Sequence, residues 1–241
     1  VWGLAILCFL MSLYVGFMNL SYKLQKRKLQ KYPQVINENY KPFVSVLIPA
    51  HDEECVIANT VQNILDMDYE NFEVIVIDDR SVDNTASVIK DLEQKYDKVT
   101  ALIRPKDAFP GKSAVLNDAF KIAKGEAILV FDADATVDAD FLTTLIPHLE
   151  PKDVGAVQAR KVIRNKNTNL LTRCQNNEYT LDTYFQVGRD SVKGAVELRG
   201  NGELIKRQAI EDIGGWNNYT IVDDLDMSTR MHIKGLSLIH I

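Results

Sequence analysis

Apolar residues follow two regimes along this chain. From Val1 to Tyr22 they run nearly unbroken and no charge interrupts them. Beyond Phe43 they come in short runs separated by amphipathic stretches. As a helix, the first segment would reach roughly 33 Å at about 1.5 Å per residue, which matches a bilayer core of about 30 Å. Trp2, Tyr14 and Tyr22 sit towards its ends or its polar flank, where aromatic residues gather at membrane interfaces. Lys23, Lys26, Arg27, Lys28 and Lys31 follow with no acid among them, so the positive-inside rule places the remainder in the cytoplasm. A signal peptide or a buried core helix is the alternative. No small-residue cleavage site follows, however, and the basic cluster lies on the wrong side for a signal peptide. The pattern predicts a transmembrane helix over 1–22, a basic juxtamembrane linker over 23–42 that turns polar from Tyr32, and one folded domain over 43–241.

Within that domain the period switches repeatedly between strand and helix. Val44–Ile48 reads as a buried strand and Cys55–Met67 as a helix with Val56, Ile57, Val61, Ile64 and Leu65 on one side. Strands are predicted at Glu73–Ile77, Val99–Ile103, Ala127–Phe131 and Val154–Gln158. Helices are predicted at Asp83–Tyr96, Lys112–Ala123 (ended by Gly125), Asp138–Leu149 and Thr168–Val187, the last suited to an acceptor or a membrane surface. Such alternation predicts an α/β fold with a mostly parallel central sheet and flanking helices, and ligands then sit beyond the carboxyl ends of the strands.

Composition narrows the function. Hydrophobic residues make up 46% and charged residues 25%, which is ordinary for a globular domain. The net charge of −5 comes with no basic stripe through the domain, so nucleic acid is not an expected partner. Cys8, Cys55 and Cys174 are far apart and lack zinc or redox spacing, so they read as reduced thiols.

The strand ends carry the chemistry. Pro49-Ala50-His51-Asp52-Glu53-Glu54 follows the first strand, Asp78-Asp79-Arg80-Ser81-Val82-Asp83 the second, and Asp132-Ala133-Asp134 the fourth. One acidic loop is an ordinary solvated turn or helix cap, as Asp83 would be. Three acidic loops on one edge repel one another unless a cation or hydrogen-bond donors compensate. Asp132 and Asp134 fall on one side of an extended chain, and their hard oxygens suit Mg²⁺ or Mn²⁺ with phosphate oxygens completing the shell. Gly111-Lys112-Ser113 opens a helix, so free N–H groups and an ammonium are available to phosphate. It is not a P-loop, because Lys106 stands where the first glycine is needed. No GxGxxG follows a strand, which sets aside a dinucleotide-dependent dehydrogenase.

Further on, Asp223-Asp224-Leu225-Asp226 reads as the acidic first turn of a helix, favoured by the helix dipole. Asp226 is explained that way. Asp224 is a candidate general base for a hydroxyl nucleophile. Between the clusters, Gly200, Gly202, Gly214 and Gly215 permit close backbone approach to a ligand. Trp216 offers a flat face to a sugar ring, with core packing as the alternative.

The ordered set Pro49-Ala50-His51-Asp52-Glu53, Asp78-Asp79-Arg80-Ser81, Gly111–Asn117, Asp132-Ala133-Asp134, Gly214-Gly215-Trp216 and Asp223-Asp224-Leu225-Asp226 resembles glycosyltransferase family 2, over roughly Phe43 to Gly235. The resemblance implies a GT-A fold and an inverting displacement on a nucleotide-sugar, here a UDP-sugar. By motif it places Ala50, His51 and Glu53 in the nucleotide pocket, Asp78 and Asp79 at uracil or ribose, and Lys112 at the diphosphate. Asp132 and Asp134 match the metal motif, with Asp134 the direct ligand, and Asp224 matches the base. Asp223, Trp216, Gly202 and Glu203 fall on the acceptor side. Asp52 stands where Asn is usual and Asp223 where Glu is usual. Similarity is strongest to cyanobacterial glucosyldiacylglycerol synthases and slightly weaker to poly-N-acetylglucosamine, cellulose and hyaluronan synthases, so the implied acceptor is a lipid or a growing glycan. The Gln-x-x-Arg-Trp motif of processive members falls beyond Ile241. Two other functions compete: a catalytically silent nucleotide-sugar-binding scaffold, and a metal-dependent nucleotidyltransferase that releases pyrophosphate.

Overall fold

The computed structural model describes residues 2–31, 37 and 39–241. Of the expected polar linker, residues 32–36 and 38 lie outside this set, as do the side chains of Lys28 and Lys31.

Helix α1 (Trp2–Lys31) leads into β1 (Val44–Ala50), α2 (Ile57–Leu65), β2 (Phe72–Asp78), α3 (Thr85–Lys95), β3 (Val99–Ile103), α4 (Lys112–Ile122), β4 (Ala127–Val130), α5 (Phe141–Leu149) and β5 (Val154–Gln158). Then come α6 (Leu170–Ser191), β6 (Glu203–Lys206), α7 (Arg207–Ile213), α8 (Asp223–Ile233) and β7 (Ser237–His240). The strands form one seven-stranded sheet in the order β3-β2-β1-β4-β6-β5-β7. Neighbours are parallel except at β6, which runs antiparallel to both β4 and β5. This mostly parallel sheet with helices on both faces is the α/β architecture anticipated from the sequence.

Side-chain alternation along the strands divides the core in two. Val44, Val46 and Ile48 of β1 face a layer made by α2, α3 and α5. Leu47, Ile75 and Ile128 face the other layer, made by α4, α7 and α8. Every residue of β2 is buried, as a strand covered on both faces requires.

Three details differ from the sequence reading. The stretch 198–206 is part loop and part strand: Glu203–Lys206 pairs with Val130–Ala127 of β4 and supplies the one strand that reverses direction. Its four residues, between Gly202 and a helix that starts at Arg207, carry too little pattern to announce themselves. Helix α1 continues through Lys31, so no break separates the apolar segment from the basic one. Gly125 is not a helix cap. Helix α4 stops at Ile122 with Ala123 in extended conformation, and a Cβ on Gly125 would lie 2.4 Å from the Ser45 nitrogen and 2.5 Å from the Ala127 oxygen. There the buried Ser45 hydroxyl accepts the Gly125 N–H at 2.7 Å and donates to Glu73 at 2.7 Å, closing the amino-terminal edge of the sheet.

Helix α1 packs on α6. The Met18 carbonyl approaches Gly188 so closely that a Cβ there would meet it at 2.7 Å. Tyr14 stacks on Phe185 with ring centroids 6.1 Å apart, and Tyr22 meets Tyr184 edge-on at 4.5 Å. The large apolar residues of α1 up to Leu13 are exposed.

The Gly125 contact is with backbone, which cannot swing aside, so Gly125→Ala should cost about 1–3 kcal/mol, as overpacking does. In thermal unfolding this is a Tm drop of roughly 2–12 °C for a chain of this size. An unchanged Tm would contradict the packing described.

Candidate active site

The parallel strands β1, β2 and β4 point their carboxyl ends at one edge. Because β6 is antiparallel and lies between β4 and β5, the loop before it, 199–202, arrives at the same edge, with Glu203 opposite Val130 and Gln158.

The first two acidic loops are fastened to each other. The Asp79 N–H donates to the Ala50 carbonyl at 2.8 Å, and the His51 ring Nδ1 lies 2.7 Å from the Asp79 carbonyl. Glu53 N–H donates to Thr85 Oγ1 at 2.8 Å, and Glu54 N–H to Asp83 at 3.2 Å. Asp83 also accepts the Thr85 N–H at 2.9 Å, so it caps the start of α3 from just outside the helix. Asp52 has φ +56°, a left-handed conformation that Asn and Asp tolerate better than other side-chain-bearing residues. Its carboxylate accepts the Val82 N–H at 2.8 Å. Asp in place of Asn therefore suits both the backbone and the hydrogen bond.

Asp78 and Asp79 have different surroundings. Asp78 is buried and one of its carboxylate oxygens has no partner. Asp79 is held by Arg104 at 2.5 Å and Arg80 at 2.8 Å. Burial alone would raise its pKa; the hydrogen bonds from Arg80 and Arg104 outweigh that and hold it below the ordinary carboxylate range. Arg104, buried just after β3, also binds Asp118 at 3.0 Å and the Phe109 carbonyl at 2.8 Å. Attention to acids alone passes over it; its signal is its place at a strand end.

The third loop joins the later segments. After β4, Phe131 and Ala133 turn inward while Asp132 is half-buried and Asp134 exposed. Lys112, first residue of α4, donates from Nζ to Asp132 Oδ1 at 2.7 Å and to the Gly200 carbonyl at 2.8 Å. Asp224, in the first turn of α8, brings a carboxylate oxygen to 3.6 Å from where a Gly200 Cβ would stand. Asp223 accepts the Asp224 N–H at 3.1 Å. Residues from α4, β4, the 199–202 loop and α8 thus meet at one point. Among the described residues no cluster of three or more His, Cys, Asp or Glu is placed to bind a metal. The donor set, two carboxylates two residues apart, fits a hard divalent cation whose remaining ligands come from diphosphate and water.

Two sequence expectations are corrected. Trp216 is not a sugar platform: it is buried, meets Phe120 edge-on at 5.9 Å, and its N–H and carbonyl are both taken by the Asn117 side chain. Glu203 presents no carboxylate to an acceptor: it is buried and accepts the Gly200 N–H from beneath the loop. Asp226, read from the sequence as a first-turn acid, lies outside the cluster, paired with Arg230 at 2.6 Å, while Arg230 also binds the Ile213 and Gly215 carbonyls. Gly202 lines a cavity of about 460 Å³ beside Asp132 and Asp134. Lys161, which the sequence did not single out, lines it too. A larger cavity of about 1090 Å³ runs between α1, α6 and β7 and touches none of the site's carboxylates.

Residues 45–214 match the family model described as Glycosyl transferase family 2. The chain belongs to this family. It is 45% identical over 194 residues, 80% of its length, to the beta-monoglucosyldiacylglycerol synthase of Nostoc sp. (strain PCC 7120), of which it spans 42%. It is 31% identical over 210 residues, 86% of its length, to the poly-beta-1,6-N-acetyl-D-glucosamine synthase of Staphylococcus aureus, of which it spans 50%. The fold superposes with a TM-score of 0.77 on a mannosyltransferase from Pyrobaculum calidifontis in complex with GDP-Man and Mn²⁺, covering 98% of this chain and 66% of that one at 26% identity. These findings bear out the family-2 resemblance and the GT-A fold, and they set the nucleotidyltransferase reading aside.

Two consequences can be measured. Arg104→Met would leave Asp79 with Arg80 alone and take the Arg104 contact from Asp118, at a cost of roughly 1–3 kcal/mol, read as loss of stability in denaturant. Glu203 gives a pH signature. Burial lifts its carboxyl from 4.5 to about 7, against the pull of the Gly200 N–H and of Lys112. With the folded pKa above the unfolded one, its contribution is complete below pH 4.5 and is lost as pH rises through about 7. Glu203→Gln should therefore flatten the fall in Tm across that window. A fall as steep as the wild type's would show that Glu203 does not titrate there.

Proposed function

We propose that the chain is the donor-binding and catalytic part of an inverting glycosyltransferase that moves a hexose from a UDP-sugar to a membrane-associated acceptor, a diacylglycerol-type lipid or a growing glycan. The observation that carries this reading is the meeting of Lys112, Asp132, Gly200 and Asp224, drawn from four segments, beside the fastened loops at Ala50–Glu53 and Asp78–Asp79. The names of the relatives support the class of acceptor.

In this reading the Ala50, His51 and Glu53 backbone, with Asp78 and Asp79, forms the wall for the nucleotide. Asp78 supports that wall from beneath, buried, with one carboxylate oxygen unpartnered. The diphosphate lies at the amino end of α4, where free N–H groups and the Lys112 ammonium favour negative charge. Asp132 and Asp134 would hold Mg²⁺ or Mn²⁺, which neutralises charge on the leaving nucleotide. Asp134 makes no hydrogen bond or ion pair among the described residues, as suits a direct ligand. An acceptor hydroxyl is a weak nucleophile at neutral pH. The Asp224 carboxylate takes its proton as the new bond to the anomeric carbon forms on the face opposite the departing phosphate, so configuration inverts. Lys112 meets the charge that develops on the leaving oxygen.

Helix α1 is long and apolar enough to cross a membrane, and we infer that it anchors the domain there with the site in the cytoplasm. Polar residues of α6 flank α1 from Tyr14 onwards, and Arg189 donates to the Tyr14 hydroxyl at 2.8 Å. Such groups are costly in hydrocarbon, so α6 and the turns of α1 that pack on it lie towards the membrane interface. An acceptor in the membrane then reaches the site by a short path.

Asp224→Asn should cut transfer by about 10²–10⁴-fold, the share of a general base, while nucleotide binding persists. Sugar transfer from labelled UDP-sugars to membrane extracts, beside nucleotide titration, checks this. Unchanged turnover would remove Asp224 from the role of base.

A further inference from the structure

The loop 199–202 is pinned at almost every polar atom. Arg199 N–H donates to Gln158 Oε1 at 2.7 Å, and Gly200 N–H to Glu203. Gln158 Nε2 donates to the Asn201 carbonyl at 2.9 Å. Gly202 N–H donates to the Val130 carbonyl at 2.9 Å, and the Gly202 carbonyl accepts from Ala159 at 2.9 Å. Two consecutive carbonyls remain, and each holds an ammonium. Gly200 takes Lys112 from α4 at 2.8 Å, and Arg199 takes Lys161 from the loop after β5. Consecutive Cα atoms are about 3.8 Å apart, so two cations from different segments are moored one residue apart.

An ammonium has three donors. Lys112 uses two, on Asp132 and Gly200. Lys161 uses one, and it forms no ion pair among the described residues. It lines the cavity of about 460 Å³ that also contains Asp132 and Asp134. Burial pushes its pKa down and the Lys112 charge adds to this, while Asp132, Glu203 and Asp224 pull the other way. A half-buried ammonium with two unused donors, facing the carboxylates of the metal motif across a cavity, is placed to receive an anion that arrives with a divalent cation.

We propose that Lys161 is a second phosphate-binding residue of this site, clamping the leaving diphosphate together with Lys112. Glu203 fixes one half of the clamp from below: its bond to the Gly200 N–H holds the peptide plane that carries the Arg199 carbonyl. The inference rests on the nucleotide-sugar reading above, and the experiment separates the two.

The whole chain in detergent is titrated with UDP and GDP in the presence of Mn²⁺, and with uridine and guanosine as phosphate-free controls. The proteins are the wild type, Lys161→Met, Lys161→Arg and Lys112→Met. Loss of a charge-assisted phosphate contact should weaken nucleoside diphosphate binding by Lys161→Met about tenfold or more. Nucleoside binding should stay unchanged and Lys161→Arg should restore most of the loss. If Lys161→Met leaves diphosphate affinity intact while Lys112→Met loses it, the clamp is overturned and the nucleotide-sugar reading stands. Equal weakening of diphosphate and nucleoside would make Lys161 a tether of the loop and also overturn the proposal. A wild type that binds neither diphosphate would bring down the parent reading and the clamp with it.

Discussion

Crowding of like charge at the carboxyl edge of the sheet is the constraint on which the rest depends. Asp78, Asp79, Asp132, Glu203 and Asp224 are drawn to that edge by the topology, and carboxylates so grouped repel unless something answers them. The fold answers each differently. Asp79 has two arginines, one of them buried. Asp132 has Lys112. Glu203 accepts a backbone N–H and shifts its pKa upward, which removes part of its charge near neutrality. Asp134 is left exposed. The compensation is local and incomplete, and an incompletely compensated acidic edge suits a divalent cation, which supports the proposed nucleotide-sugar reading.

The reversal of β6 makes this arrangement possible. Had β6 been parallel to its neighbours, the 199–202 loop would lie at the opposite edge and Lys112 would have no carbonyl to share. The same loop ties the site to the apolar helix. Arg199 binds Asp182 of α6 and Glu197, Glu197 meets Arg189, and Arg189 reaches Tyr14 of α1. Each of these groups is partly exposed, so the chain of contacts contributes orientation more than stability.

The parallel half of the sheet was legible because it obeys local rules. Apolar runs such as Val44–Ile48 and Glu73–Ile77 alternate with amphipathic stretches, and each ends in acids whose place at the ligand edge follows from strand direction alone. What escaped was fixed by distant partners. Glu203–Lys206 is four residues long and becomes a strand through pairing with β4 and β5, so the sequence around it reads as a glycine-rich loop. Trp216 presents the same letter whether it faces a sugar or a core, and Asn117, ninety-nine positions away, decides the matter. Gly125 looked like a cap, but its need is set by Ser45, eighty positions earlier. Arg104 and Lys161 were missed for a different reason: each follows a strand, but a search tuned to acids does not ask what neutralises them.

The central claim is that this edge binds a nucleoside diphosphate through a divalent cation held by Asp132 and Asp134. The most direct measurement is calorimetric titration of UDP into the chain with Mn²⁺ and with chelator, for the wild type and for Asp134→Asn. The account predicts binding that requires Mn²⁺ and that the substitution greatly weakens, with no change in thermal stability in the absence of metal. Equal affinity with and without Mn²⁺, or an Asp134→Asn protein that binds UDP as the wild type does, would contradict it.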